Sequence, residues 1–388
     1  MLVSLFTANI LGLVPKMTAS TLRAQIAATK KAAGAATPFD DAELDRSIRS
    51  LQAAASGAPQ QLDSAAYRKL LSKSAHMPHK DWARTESAAD ELASLIASPD
   101  DETFGHTFQR VLEDGGWVGA SRAAAERAES TKPWVVLVTG VNGIRKTSTI
   151  YQPWFRDALG QALAGSGICP TDELPDGNNS YFRQLDYMIA TVASEEFKEL
   201  YELEDIEEYA SKKDSIFSRY RTLAEMLGVL LVKASKAKRM NLLVETSGRD
   251  IAMFKYIDFF FPDDAYRKLV VHFTINDIGF AERSVDRRMQ GEMQKGRAAL
   301  AGGNVREIIQ ANAGGPYGSA VLRGVQADSD AVWESVRSGE AEGGAALDWC
   351  KARIAISAHE TEPWSACAVP PPGAADTAVD SFVFGPPR

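Results

Sequence analysis

Lys146 and Thr147 close the segment Gly140, Val141, Asn142, Gly143, Ile144, Arg145, which directly follows the apolar run Val135 to Val138. A glycine turn ending in lysine and a hydroxyl residue is the pattern of a phosphate-binding loop, GxxxxGK followed by Ser or Thr. The chemistry explains the residue types. Backbone N–H groups of such a loop wrap a β-phosphate, and the helix that starts at the lysine points its positive dipole end at the same anion. Lys146 is placed to reach the β/γ-phosphates, the Thr147 hydroxyl to ligate a magnesium ion, and Ser148 continues the helix start. One position departs from the pattern: Arg145 stands where a glycine precedes the lysine. A side chain there either crowds a nucleotide and demands a left-handed backbone or adds a charge-assisted contact to phosphate.

Other candidates lie downstream. In YFRQLDYMIAT the first half reads as a short strand ending at Leu185, which sets Asp186 at the carboxyl edge of a sheet, where it can take a proton from a substrate hydroxyl. The alternative is that Asp186 caps a helix over 187–201. In MNLLVETSGRD, residues 240–250, Asn241 to Val244 form a buried strand and Glu245 follows at its carboxyl end, beside the loop where Mg²⁺ or its waters belong. Arg249 is placed to clamp an anionic substrate, and Arg219 and Arg221 are further candidates for substrate contact. After a strand over 269–275, Arg283 and Arg287 lie one turn apart with Arg288 adjacent, so guanidiniums can converge on a transferring phosphoryl group. Glu282, Asp286 and Glu292 offer the alternative of a solvated, paired surface.

These residues need a scaffold. Consecutive apolar β-branched positions at 135–138 require cover on both faces, as in the central strand of a parallel sheet. Residues 148–164 should form the helix after the loop, with Phe155, Leu159 and Leu163 on the sheet and a kink or delay at Pro153. A helix over 212–231 places Phe217, Tyr220, Leu223, Met226 and Leu230 inward. Upstream, 37–130 reads as helical: Asp40 or Asp41 caps a helix through Ala55, and further helices span 62–75, 86–97 and 104–113. The polar break Ser130 to Pro133 closes that region. Past Ala301, the glycine- and proline-rich stretch 314–322 suggests close packing near a ligand or interface. Trp333, Trp349 and Trp364 read as packing anchors on the core, and the tail from Pro370 as poorly ordered.

With 388 residues, 45% hydrophobic and 24% charged, the chain can bury a sizeable core and is not a disordered segment. A net charge of −8 argues against nucleic acid as the main partner. Cys169, Cys350 and Cys367 lack metal-ligand spacing and fit buried thiols in a reducing compartment. Residues 2–15 are too short and interrupted to span a bilayer, so no stable membrane insertion is expected. Up to residue 39 the chain carries Lys16, Arg23, Lys30 and Lys31 and no acid before Asp40, a composition shared by organelle transit segments and by packed N-terminal arms.

Strand, GVNGIRKT, an aspartate, ETSGRD after another strand, and a strand followed by an arginine-bearing helix together resemble the zeta toxin family of P-loop kinases over about residues 131–300. The resemblance implies a parallel sheet between helices and transfer of phosphate from ATP, with Mg²⁺, to a hydroxyl of a small molecule such as a nucleotide sugar. It gives Lys146 and Thr147 the phosphate and magnesium roles, Asp186 that of catalytic base, Glu245 that of the active-site acid, and Arg283 and Arg287 those of transition-state arginines. Gly140, Asn142, Gly143, Arg145 and Ser148 complete the nucleotide loop. The expected architecture is therefore α/β, a P-loop kinase-type parallel sheet flanked by helices with a helical N-terminal region. Its divisions are an arm or transit segment (1–39), a helical region (40–130), the kinase-like core (131–300) and a C-terminal extension packing on that core with a flexible tail (301–388). The rival is a nucleotide-binding scaffold or interaction protein that has lost turnover. The cytoplasm is the expected compartment, with plastid or mitochondrion as the alternative; a protein partner or oligomer is left open.

Overall fold

The computed structural model describes residues 37–78, 81–165, 174–180, 185–275, 277–338, 352–369 and 382–384. Its centre is a six-stranded sheet in the order β2-β1-β3-β4-β5-β6. The strands are β1 (Trp134–Thr139), β2 (Leu242–Glu245), β3 (Arg267–Ile275), β4 (Ala352–Ala358), β5 (Trp364–Ala368) and β6 (Phe382–Phe384). All six residues of β1 are buried. The strand is paired in parallel on one side with β2 and on the other with β3, so the apolar run has cover in every direction. The α/β architecture of parallel strands flanked by helices, with a helical N-terminal region, is the one expected of a P-loop kinase.

Two features of the sheet escape the sequence pattern. β4 joins in parallel beside β3, and β5 and β6 then add antiparallel, so the sheet runs past residue 300 and the C-terminal segment builds the core instead of merely covering it. Trp364 on β5 is fully buried, and Trp333 stacks on His272 of β3 at 4.6 Å. Trp349, the N-terminal arm through residue 36, Cys169 and Cys350, and most of the tail from Pro370 lie outside the described residues; β6 is the part of that tail that is seen, and it pairs with the sheet.

The N-terminal helices are α1 (Asp41–Ala54), α2 (Ser64–Ser74), α3 (Trp82–Ile96), α4 (Glu102–Thr107), α5 (Gln109–Asp114) and α6 (Trp117–Glu126). Asp40 and Glu43 form a reciprocal capping box at the start of α1, and Asp63 caps α2 through two backbone N–H groups. The helix expected over 104–113 is split at Phe108, whose backbone leaves the helical region. After the loop come α7 (Lys146–Ile150) and α8 (Trp154–Gly165), separated at Tyr151 to Pro153 because proline supplies no N–H and disfavours helix in the residue before it.

Next are α9 (Leu185–Val192), α10 (Ser194–Tyr201), α11 (Ile206–Ala237), α12 (Ala252–Phe260), α13 (Ile278–Gly302), α14 (Val305–Ala311) and α15 (Leu322–Ser338). The strand expected to end at Leu185 does not: Leu185 opens α9, and residues 181–184 lie outside the described ones. α11 has 32 residues, or about 48 Å of helix, capped by Asp205 and buried along most of its second half. It packs against both α3 and α9, so the N-terminal helices share one apolar core with the sheet. Among the described residues no helix is long and apolar enough to cross a membrane.

Candidate functional site

The loop from Gly140 to Arg145 is pinned from below by Val141 and Ile144, both buried. Its backbone is left-handed at Gly143 (φ 88°) and at Arg145 (φ 63°). The two glycines are required for space as well. A Cβ at Gly140 would lie 2.6 Å from the Phe273 carbonyl oxygen, and one at Gly143 would lie 2.4 Å from that of Ala281. β3 and α13 therefore press directly on the loop. Arg145 accepts the left-handed conformation at a cost of about 1 kcal/mol and carries its guanidinium over the Phe280 ring at 5.0 Å.

Lys146 is buried and donates to the carbonyl oxygens of Gly140 (2.7 Å) and Val141 (3.0 Å). Burial lowers its pKa to about 8, against the attraction of Glu245 and with some help from Arg288. Thr147 donates its hydroxyl to both carboxylate oxygens of Glu245, at 2.7 and 2.9 Å. That contact exists because β2 ends beside β1: Val138 is in register with Glu245, and the Thr246 N–H donates to the Val138 carbonyl. Beneath them, the Thr139 hydroxyl and His272 Nδ1 lie 2.8 Å apart, and burial pushes the imidazole down to about 3, so it is neutral.

Lys146, Thr147, Glu245, Asn142, Ser148 and Asp186 all line one cavity of about 720 Å³ at the carboxyl ends of the parallel strands. Asp186 reaches it from the first turn of α9. A Cβ at Gly315 would lie 3.4 Å from Asn142 Nδ2 and 3.6 Å from Asp186 Oδ2, so the backbone of the 312–317 segment bridges the Gly140–Arg145 loop and that carboxylate. The glycine-rich stretch noted in the sequence thus forms a wall of this cavity. It is held by Arg288, which donates to the Gly315 carbonyl at 2.9 Å, and by Asn312, whose Nδ2 donates to the Asp186 carbonyl at 3.0 Å.

Arg283 and Arg287 are exposed and line a second, smaller cavity of about 240 Å³ with Phe280, Ser284 and Glu360. Arg145, Ser284 and Arg288 line both cavities. Arg283 is paired with Glu360 at 2.5 Å and with Asp277 at 3.5 Å, and these bonds hold its pKa above the usual value. Of the three α13 arginines, it is therefore Arg288 that lines the larger cavity. One residue on a helix is 100° of rotation, enough to turn Arg288 inward while Arg287 faces solvent.

Other sequence expectations are redistributed. Glu292, read as a member of a solvated surface, is fully buried and accepts from Lys213 Nζ at 2.7 and 2.8 Å. It also accepts from Tyr209 (2.5 Å) and the Ala313 N–H (2.9 Å). Arg219 is a structural clamp, paired with Glu43, bonded to the carbonyls of Thr37 and Pro38 and stacked on Phe39 at 4.0 Å. Arg221 lines the large cavity and is paired with Glu225 at 2.9 Å, while Arg249 lies over the Tyr317 ring at 4.8 Å. Gly315 lies in the glycine-rich stretch that the sequence marked, whereas Asn312, Lys213 and Trp82 went unmarked. For Lys213 the local signal was a lysine on the apolar side of α11, three residues before Ile216 and four before Phe217.

A magnesium ion takes oxygen ligands and usually keeps several waters, with one or two protein groups and substrate phosphates. The Thr147 hydroxyl and Glu245 carboxylate supply such oxygens. Among the described residues no group of three or more His, Cys, Asp or Glu side chains gathers to hold an ion alone, which a phosphate-assisted site does not require.

No family model matches the chain, and no curated protein matches it in sequence. Among solved structures, the chain is similar to one described in a characterisation of the PezAT chromosomal toxin–antitoxin system of Streptococcus pneumoniae. The identity is 13% and the TM-score 0.35, with 64% of this chain and 77% of that one covered.

Proposed function

We propose that this protein is a phosphotransferase that moves the terminal phosphate of ATP to a hydroxyl of a small molecule. One observation carries the reading: Lys146, Thr147, Glu245 and Asp186 come from three separate elements, α7, β2 and α9, yet line one cavity where parallel strands end. In the proposed reaction the loop amides and the Lys146 ammonium hold the β- and γ-phosphates. Thr147 and Glu245 would hold Mg²⁺, which would offset charge on the phosphate oxygens. Asp186 accepts the proton of the acceptor hydroxyl as its oxygen forms a bond to the γ-phosphorus, and the bond from that phosphorus to the β–γ bridging oxygen breaks, leaving ADP. Arg288, and Arg145 at the junction of the two cavities, are placed to stabilise charge on the transferring group; Arg283 and Arg287 border the smaller cavity, where the rest of the nucleotide can extend. Lys146 is held by two neutral carbonyls and not by a carboxylate in contact, so a phosphate can take their place as its partner.

The rival reading, a nucleotide-binding scaffold without turnover, draws on Arg145. Both are tested by measuring ATP binding and ADP release with and without Mg²⁺, across alcohols of different class, in wild type and Lys146→Ala. Mg²⁺-dependent turnover lost in the variant supports the enzyme; tight nucleotide binding without turnover on any acceptor supports the scaffold, and no binding removes both.

A further inference from the structure

The large cavity has two chemically different ends. Around the loop it carries Arg145, Lys146 and Arg288 against Glu245 and Asp186, an excess of positive charge suited to a triphosphate. Further along α11 and on the segment entering α12, the charged lining is Asp214, Glu225 and Asp250 against Arg221 and Arg249. Among the described residues three carboxylates face two guanidiniums there, so this end carries an excess of negative charge. Moreover, Arg221 is committed to Glu225 at 2.9 Å and Arg249 lies on Tyr317.

The same end is aromatic. Trp82 and Tyr256 meet edge to face with centroids 5.0 Å apart, and Met77 adds apolar surface. On α11 the lining positions 214, 217, 218, 221, 222, 225 and 228 recur every three or four residues, one helical face about 21 Å long. Met77 and Trp82 belong to the N-terminal helical region, which therefore contributes to the cavity and is not an appendage to the core.

From this polarity we infer that the acceptor is an aromatic alcohol that carries no phosphate, neutral or cationic, seated against Trp82 and Tyr256. The inference rests on the phosphotransferase reading for the role of that alcohol, and it departs from the nucleotide sugar that the sequence resemblance implies. A diphosphate group placed between Asp214 and Asp250 would meet like charge, which costs affinity. An aromatic ring gains contact with the rings already there.

The test uses the full chain with three probes, phenylglycol, phenylethanolamine and a uridine diphosphate sugar, by calorimetric titration for binding and by ADP release with ATP and Mg²⁺ for turnover. Phenylglycol and phenylethanolamine are expected to bind more tightly than the nucleotide sugar. Trp82→Ala should weaken both by about tenfold, with Trp82→Phe restoring most of it. Asp214 is exposed, so Asp214→Lys should leave folding intact, weaken phenylethanolamine severalfold and leave phenylglycol unchanged. Tighter binding of the nucleotide sugar, or both aromatic probes insensitive to Trp82→Ala and Asp214→Lys, overturns the inference. If the aromatic probes bind in the expected pattern but no acceptor receives phosphate, the inference about the wall stands and the phosphotransferase reading falls.

Discussion

Lys146 and Lys213 are both buried lysines within reach of the same cavity wall, yet they are satisfied in opposite ways. Lys213 sits in the joint between α11 and α13, where Glu292 supplies a full negative charge and Asn312 a further acceptor at 2.9 Å. Lys146 sits under the Gly140–Arg145 loop and, among the described residues, is bonded to two neutral carbonyls, with Glu245 acting through space. Burial lowers the pKa of each, but only Lys213 has its counter-ion in hydrogen-bond contact. A lysine sealed with its carboxylate is part of the frame; one held by carbonyls keeps its charge for a ligand.

Breaking the two in turn should separate frame from function. Lys213→Met leaves Glu292 charged and buried, and is expected to cost about 3–5 kcal/mol in denaturant unfolding. Because Glu292 and Asn312 also hold Ala313 and the Asp186 carbonyl, the double variant Lys213→Met, Glu292→Leu should recover part of that stability without recovering turnover. Lys146→Met should show the reverse: stability changed by only about 1 kcal/mol, turnover reduced about 10²- to 10³-fold. Equal stability losses in the two single variants would erase the distinction drawn here.

The loop was legible in the sequence because its requirements are local. Gly140, Gly143, Lys146 and Thr147 are fixed by spacing along one strand, turn and helix, and Pro153 announces the break between α7 and α8. The other side of the site was legible only in part. Glu245 could be placed, since a buried strand predicts what lies at its end. Asp186 was identified, but its support comes from Asn312 and Gly315, more than a hundred residues away, and sequence spacing carries no trace of such contacts. On α13 the motif of alternating arginines was visible while its rotation was not: which of Arg283, Arg287 and Arg288 turns inward is set by Val285, Met289 and Glu292 packing on the core. Likewise β4 (ARIAISA) and β5 (WSACA) are rich in alanine, a weak strand former, so their place in the sheet is decided by pairing, β4 on β3 and β5 on β4, and not by their own pattern.

The same contrast ranks the arginines. Arg288→Ala removes a guanidinium that both lines the cavity and holds the Gly315 carbonyl, and should cut turnover by about tenfold to a hundredfold. Arg283→Ala removes an exposed group paired with Glu360, and should change turnover by less than Arg288→Ala does; the opposite order in a steady-state comparison would move the charge-stabilising role to the outer face of α13. Arg145→Gly has a smaller effect of mixed sign. It relieves the left-handed backbone, raising stability by up to about 1 kcal/mol, while loss of the guanidinium should weaken ATP binding by about tenfold. Unchanged or tighter ATP binding in this variant would identify Arg145 as an obstacle and favour the scaffold reading.

The subtlest difference between the two lysines is their response to pH. Folded Lys146 titrates near 8 while an unfolded lysine titrates near 10.5, so between these values the unfolded chain holds a proton that the folded chain does not. Stability contributed through this group therefore rises with pH across that window and is lowest where the buried ammonium is charged. Ligand binding should run the other way. A triphosphate needs the charged ammonium, so ATP affinity should fall as pH climbs through about 8, with proton uptake on binding visible as a dependence of calorimetric heat on the buffer's ionisation enthalpy. Lys146→Met should remove that uptake and flatten affinity between about pH 7 and about pH 9.5, whereas the Lys213→Met, Glu292→Leu pair should leave it in place. Affinity of the wild type that stays level over the same range would mean that Lys146 never meets the nucleotide as a cation, and the carbonyl-held lysine would then be as structural as its carboxylate-held counterpart.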